Sequence, residues 1–217
     1  MPFPPPSSET GSPQPLTRGH KKRERTRRSL IDAALRLVAR KEAGEIALLD
    51  VAAEAEVSNG TIYNYFRTRE EVLEAVGIAM ADEFSDAISA LSSDVRSGAQ
   101  RLSIGVRMFI RRAADDPQWA SALLRIFHFD QAIRSRLAVH VLGDLQEGLC
   151  EGAFAYEDEG IALDLVVSCT TGAMRSVVEG RAAAEHDVRV AEMVLKALGA
   201  TPAKARKIAS LPLPSIA

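Results

Sequence analysis

In the stretch VSNGTIYNYF, Ser58, Asn59, Gly60, Thr61, Tyr63, Asn64 and Tyr65 bring carboxamides, hydroxyls and phenols close together. These groups give and take hydrogen bonds, and none is an activated nucleophile. Their chemistry is recognition rather than bond making. Gly60 has no side chain to hold a partner's backbone or a base edge away, and with Thr, Tyr and Asn around it close approach is favoured over the alternative that it merely sits in a first helical turn, where glycine costs less. Nothing elsewhere assembles a competing constellation. No Glu-x-x-His or His-x-x-x-His pair marks a metal bundle, and no clustered acid, base and nucleophile points to an enzyme.

The elements that carry this face must be settled first, because Asn59-Gly60 is also a strong hairpin signal. A hairpin needs alternating strands on both sides. The preceding LLDVAAEAE instead places Leu48, Val51, Ala52 and Ala55 at helical spacing. Ser58 is then an N-cap, and Ile62 with Phe66 forms a narrow buried stripe. Gly60 and Asn64 fall on the opposite side, flanked by Thr61, Tyr63 and Tyr65. Upstream, Ile31, Ala34, Leu35 and Val38 predict an amphipathic helix from Thr26 to near Gly44. Downstream, Thr68 and Glu71 predict a capping box that opens a long helix through REEVLEAVGIAMADEFSDAISAL. Two short helices joined by a tight turn, braced by a preceding helix and a basic arm, form a helix-turn-helix.

The wider chain fits one all-α protein of 217 residues, in which 47% hydrophobic content supplies a core while only 5% aromatics and few alternating runs argue against sheet. Residues 1–20, rich in Pro, Ser and Gly, read as a disordered tail without a signal-peptide core. No uninterrupted apolar run has the length of a membrane span, since IALDLVVSCTTGAM carries Asp164 and several hydroxyls. Cys150 and Cys169 lack metal-ligand spacing and read as reduced thiols in or near the core, with a redox pair as the alternative. The expected compartment is the cytoplasm. The net charge of −2 hides a strongly basic RGHKKRERTRR and a more acidic second half. Such separation suits one polyanion-binding end.

The segment LIDAALRLVARKEAGEIALLDVAAEAEVSNGTIYNYFRTREEVLEAV resembles the DNA-binding domain of the tetracycline-repressor (TetR) family of transcription regulators. The resemblance is carried by DAAL, VAAEAEVS, GTIYNYF and REEVL. It implies a helix-turn-helix domain over 21–70, a helical ligand-binding and dimerisation domain over 71–210, a short tail over 211–217, and a homodimer on a palindromic operator. By position it places Ser58, Asn59, Gly60, Thr61, Tyr63, Asn64 and Tyr65 on the recognition helix and Arg69 at the start of the fourth. Asn and Thr suit base edges, Tyr63, Tyr65 and Arg69 suit phosphates, and Lys22, Arg25 and Arg28 of the basic arm would follow the backbone or enter a minor groove. Four positions depart from the family pattern: Glu56 stands where the bend usually has a small residue, Ile46 and Ala47 where hydroxyls are usual, and Asn59 where lysine is usual.

Further helices are expected at about 98–114, 117–128, 130–154, 158–183 and 187–199, with a short one capped by Thr201. In the family this region encloses the ligand. Phe84, Phe109, Trp119, Leu123, Phe127 and Phe154 would line an apolar pocket with Arg107 or His128 as polar anchors, and ordinary core is the alternative for each. The last two long helices would pair with their twofold mates through Val167, Met174, Val178, Met193 and Val194, or else fill a monomeric core. The expectation is a homodimeric repressor, without cofactor, metal or membrane, released from operator DNA by a small-molecule inducer. A constitutive DNA-organising dimer is the other reading.

Overall fold

The computed structural model describes residues 18–38, 40, 45–126 and 135–214. The described residues contain ten helices and no strand, in agreement with the all-α expectation. They are α1 (Arg18–Val38), α2 (Leu48–Glu54), α3 (Asn59–Tyr63), α4 (Arg69–Leu91), α5 (Gly98–Asp115), α6 (Pro117–Ile126), α7 (Arg136–Cys150), α8 (Glu159–Val178), α9 (His186–Ala197) and α10 (Pro202–Ala209).

Helix α1 begins eight residues before the expected Thr26, so the basic arm from Arg18 is helical rather than trailing. Lysine and arginine are good helix formers. Two of these cations also find aromatic faces on the next elements: the Arg23 guanidinium lies 5.7 Å from the Tyr65 ring centroid and that of Arg27 lies 5.3 Å from the Phe66 ring centroid. Leu30, Ala33, Ala34, Leu37, Val51, Ala52, Ile62 and Phe66 bury together, so α1, α2 and α3 share one small core.

Helix α4 joins that core to the rest. It packs on α1 near its start and on α5, α6 and α7 farther along. Its Thr68 cap accepts from the Glu71 amide at 3.2 Å, while the Glu71 carboxylate accepts from the Arg67 amide at 2.7 Å. The reciprocal bond thus reaches one residue before the cap. Helix α5 is the hub of the larger unit and packs on α4 and α6 to α10. Its start lies against the backbone of α7 so closely that a Cβ on Gly98 would sit 2.4 Å from the Asp144 carbonyl oxygen. Only glycine fits there without moving a helix.

Helix α8 is long and apolar enough to cross a membrane, with mean hydropathy 1.4, yet it packs on α5, α6, α7 and α9 as a helix of the bundle. Both cysteines are exposed, contrary to the expected core placement. Cys150 ends α7, and Cys169 lies on the outer side of α8, where the inward positions are held by Val166, Val167 and Thr170.

Candidate DNA-binding surface and ligand cavity

Ser58 accepts from the Thr61 amide at 3.3 Å and its hydroxyl lies 2.8 Å from the Thr61 hydroxyl, so both side chains fix the first turn of α3. This cap holds a helix of five residues that could not persist alone. Ile62 and Phe66 face inward, as expected, and Asn59, Gly60, Tyr63 and Asn64 are exposed. A Cβ on Gly60 would meet nothing within 4 Å, so the surface there is open. Tyr63 is 53% exposed and therefore contributes little to the core.

Two clefts flank α3. Lys22, Arg23 and Thr26 of α1 enclose one together with Thr61, Asn64 and Tyr65. Tyr63, Arg67, Thr68 and Arg69 enclose the other with residues 45–49 at the start of α2. Lys22 thus stands beside the recognition helix, while Arg25 and Arg28 are exposed elsewhere along α1. Arg69 is half-buried and lies 3.3 Å from the Glu70 carboxylate. Arg67 was not anticipated at this surface, and Arg23 was expected there only as part of the basic run KKRERTRR. Helical continuation of the run is what brings Arg23 beside α3, and Arg67, just beyond α3, had no distinguishing pattern.

The departures from the family pattern have local solutions. Glu56 adopts φ 55°, a left-handed conformation that costs a non-glycine residue about 1 kcal/mol. Ala47 cannot cap α2 with a side chain, but the Asp50 carboxylate accepts from the Ala47 amide at 3.1 Å.

The larger unit contains a cavity of about 100 Å³ between α4, α5, α7 and α8. Phe109 and Leu123 line it as expected. Phe84 and Trp119 stand behind, packed on Phe109 with ring centroids 4.9 and 6.3 Å away. Phe154 is buried elsewhere, and Phe127 and His128 lie outside the described residues. Arg107 is no anchor for this cavity. It is buried against Asp187, its Nε 3.2 Å from the carboxylate, and its Nη1 donates to the Leu211 carbonyl. Val167 and Met174, assigned to a dimer face, instead line the cavity, and Val194 is buried within the chain. Helical phase explains this: the outward stripe of α8 is Ile161, Ser168 and Gly172, and on α9 it includes Met193. Val178 is half-buried at the end of α8.

The polar lining was not legible beforehand. Arg101 donates from Nε to Asp144 at 2.6 Å and from Nη1 to the Val95 and Arg96 carbonyls, both at 2.8 Å. Burial raises the Asp144 pKa, outweighing the hydrogen bond from Arg101 that acts the other way. His140 meets Asp86 of α4 at 3.0 Å. Ser92, Thr170 and Thr171 donate to carbonyls of their own helices, leaving their oxygens as acceptors. Arg101 and His140 thus both have carboxylate partners, and the wall offers a neutral guest more acceptors than free charge. Arg101 and its partner Asp144 stand on different helices, as do His140 and Asp86, so only the packing of α7 on α5 and α4 reveals these pairs.

Residues 98–211 match the family model described as the C-terminal domain of tetracyclin repressor-like proteins, and residues 30–76 match that of bacterial regulatory proteins of the tetR family. The HTH-type transcriptional regulator AlkX of Mycobacterium tuberculosis is 33% identical over 98 residues, which are 45% of this chain and 46% of that protein. The chain spans about half the length of the curated relatives it matches. The crystal structure of RolR in complex with resorcinol has a TM-score of 0.76 at 27% identity, over 91% of this chain and 99% of that one. FadR from Bacillus subtilis, solved with stearoyl-CoA, shares the fold at 19% identity and TM-score 0.54, over 79% of this chain and 96% of that one. With a matched C-terminal model over more than half its length, this chain belongs to the tetR family of bacterial regulatory proteins.

Proposed function

We propose that the protein is a cytoplasmic, homodimeric repressor that binds a palindromic operator and leaves it when a small, neutral, hydroxyl-bearing ring enters the cavity. One observation carries the reading: the exposed Asn59, Gly60, Tyr63 and Asn64, beside Lys22 and Arg23, are joined by the single helix α4 to a wall of the cavity. Asn59 and Asn64 suit base edges, and Lys22, Arg25, Arg28, Tyr63 and Arg69 suit phosphates. Two such heads must stand roughly 34 Å apart to enter successive major grooves, which requires a dimer. The exposed apolar Ile161 and Met193, 68% and 67% accessible, with open space at Gly172, supply a face for it.

The cavity volume of about 100 Å³ is on the scale that accepts one ring rather than an acyl chain. RolR, similar over nearly its whole length, was solved with resorcinol. A hydroxylated ring would donate to Asp144 or to the free oxygens of Ser and Thr, while its ring fills the space beside Phe109 and Leu123. A carboxylate would find Arg101 and His140 already paired.

The test is a gel-shift titration against DNA flanking the gene, at two salt concentrations, with and without resorcinol. Tight, salt-sensitive binding to a palindrome that resorcinol releases is the expected result. Binding that no small ring alters, with no change in melting temperature, would favour the constitutive DNA-organising dimer.

A further inference from the structure

Helices α4 and α7 are adjoining walls of the cavity, through Ser85 and Ile88 on one and Leu137 and Asp144 on the other. At the reading-head end of the cavity, where Leu137 and His140 belong to its lining, the two helices are joined by a polar clip. The Asp82 carboxylate of α4 accepts from the backbone amides of Arg136 and Leu137, at 2.7 and 3.3 Å, and so caps the first turn of α7 from another helix. One turn farther along each helix the pairing repeats. Arg136 Nη2 lies 2.9 Å from Asp86, Arg136 Nε lies 3.4 Å from Asp82, and His140 Nε2 lies 3.0 Å from Asp86.

This arrangement replaces the cap that α7 lacks in its own sequence, since the Ser135 side chain makes no cap bond. The first-turn amides would otherwise have only solvent or nothing. Directional bonds at two successive turns of both helices fix their relative rotation, which apolar packing alone leaves freer to slide. His140 stands in both sets, lining the cavity and holding Asp86. Moreover, Asp82 lies on the reading-head side of the cavity residues Ser85, Ile88, Ser89 and Ser92.

We propose that Asp82 and Asp86 are positioning residues: their clip on Arg136 and His140 is the pivot that sets the tilt of α4 and converts a change in cavity width into movement of the reading head. The last part of this inference rests on the proposed ligand response, but the first part does not. A pivot at Asp82, on the head side of Ile88, turns a small spread at Ile88 into an opposite swing at Arg69. Without it, the same spread is absorbed locally. The coupling is therefore a property of two discrete helix contacts.

The experiment reads the tilt directly in the full chain. Spin labels are placed at Ala53→Cys on α2 and Arg189→Cys on α9, both exposed positions, with Cys150→Ser and Cys169→Ser removing the native thiols. Labelled chain is diluted with unlabelled chain so that pulsed dipolar spectroscopy reports distances within one chain. Asp82→Ala should displace or broaden the distance distribution by ~2 Å or more. Asp82→Asn, which keeps an acceptor for the two amides, should stay nearer the parent. Arg136→Ala, which leaves the backbone cap intact, gives a milder broadening and serves if Asp82→Ala does not fold. Superposable distributions in parent, Asp82→Ala and Arg136→Ala would overturn the proposal, because apolar packing alone would then set the tilt. Resorcinol is the ligand probe. A shift in the parent that disappears in Asp82→Ala supports the pivot, and an equal shift in both overturns it. If resorcinol moves neither but Asp82→Ala moves α4, the clip stands and the choice of ligand fails.

Discussion

Arg23 of α1 holds its guanidinium 5.7 Å from the centre of the Tyr65 ring, just beyond α3. The contact ties the basic end of α1 to the far end of the recognition helix and places Lys22 and Arg23 at the rim of a shared cleft. An exposed cation–π contact is worth about 0.5–1 kcal/mol. For Arg23→Ala, the melting temperature should therefore fall by only a few degrees. DNA binding should weaken more visibly if Arg23 also meets phosphate. In anisotropy titrations, the slope of log K against log salt should flatten by roughly 0.9. An unchanged slope would confine Arg23 to bracing.

Tyr63 separates recognition from folding more cleanly. Its ring is 53% exposed and stands beside Arg67 and Arg69 in the cleft at the start of α2. Tyr63→Ala should leave dimerisation and thermal stability nearly unchanged, within about 0.5 kcal/mol for a surface site. Operator affinity should drop about tenfold, matching a lost hydrogen bond to a charged phosphate. Gel shift and calorimetry on the same preparation check both halves, and a lost melting transition would place Tyr63 in the core instead.

The bend before α3 has a residue that does not suit it. Glu56 at φ 55° carries a Cβ in a conformation where glycine is at ease. Glu56→Gly should be neutral or stabilising by less than about 1 kcal/mol, because relief of strain is offset by the freer unfolded chain. Glu56→Val should cost more than about 1 kcal/mol, since a β-branched side chain is excluded most strongly from this region. Urea denaturation of the pair measures the difference. Equal midpoints would show that the turn relaxes to another conformation.

The reading head was legible in sequence because its signals are local. Ser58 caps, Ile62 and Phe66 repeat at one turn, and Thr68 with Glu71 marks the next start, so neighbours a few residues apart determine the outcome. The cavity was legible only where large apolar side chains announce burial, as at Phe109 and Leu123. Arg107 shows why the rest was hidden. An arginine in an apolar helix invites a ligand role, yet its partner Asp187 is supplied by α9 and its second acceptor, the Leu211 carbonyl, lies beyond α10. The same holds for Val167 and Met174. Periodicity shows that α8 has apolar positions on more than one side, but only packing against α5 shows which side turns inward.

The Arg107–Asp187 pair also predicts an acid dependence. Burial opposes ionisation of Asp187, but hydrogen bonds from Arg111 and Arg107 outweigh it and hold the carboxyl below its ordinary 3.8. A depressed folded-state pKa means that the stabilisation is complete above the unfolded value and is lost as pH falls through the folded one. Between about pH 5 and 2, the native chain should therefore lose stability faster than Asp187→Asn, which has no charge to lose. At neutral pH the pair contributes in full. Asp187→Asn should be less stable by about 3–5 kcal/mol, because Arg107 is left buried without its counterion. Denaturant midpoints across this range test the sign, and parallel pH curves would show that the pair does not govern acid unfolding.

Gly105 offers a test of the cavity that separates occupancy from stability. It lies within α5, lines the cavity, and a Cβ built there would meet nothing within 4 Å. Leucine at this position should enter the space reserved for a ring. It also removes the helix cost of glycine, about 0.8–1 kcal/mol, so Gly105→Leu should melt no lower than the parent. A ligand present at a hundred times its Kd stabilises by about 2.7 kcal/mol, a shift of roughly 5–10 °C for a domain of this size. Resorcinol should produce such a shift in the parent and none in Gly105→Leu. The same shift in both would place the binding site elsewhere, whereas no shift in either would reject this ring while leaving the cavity intact. Because the variant is expected to be the more stable protein, loss of its response cannot be attributed to damage of the fold, and the measurement reads the cavity itself.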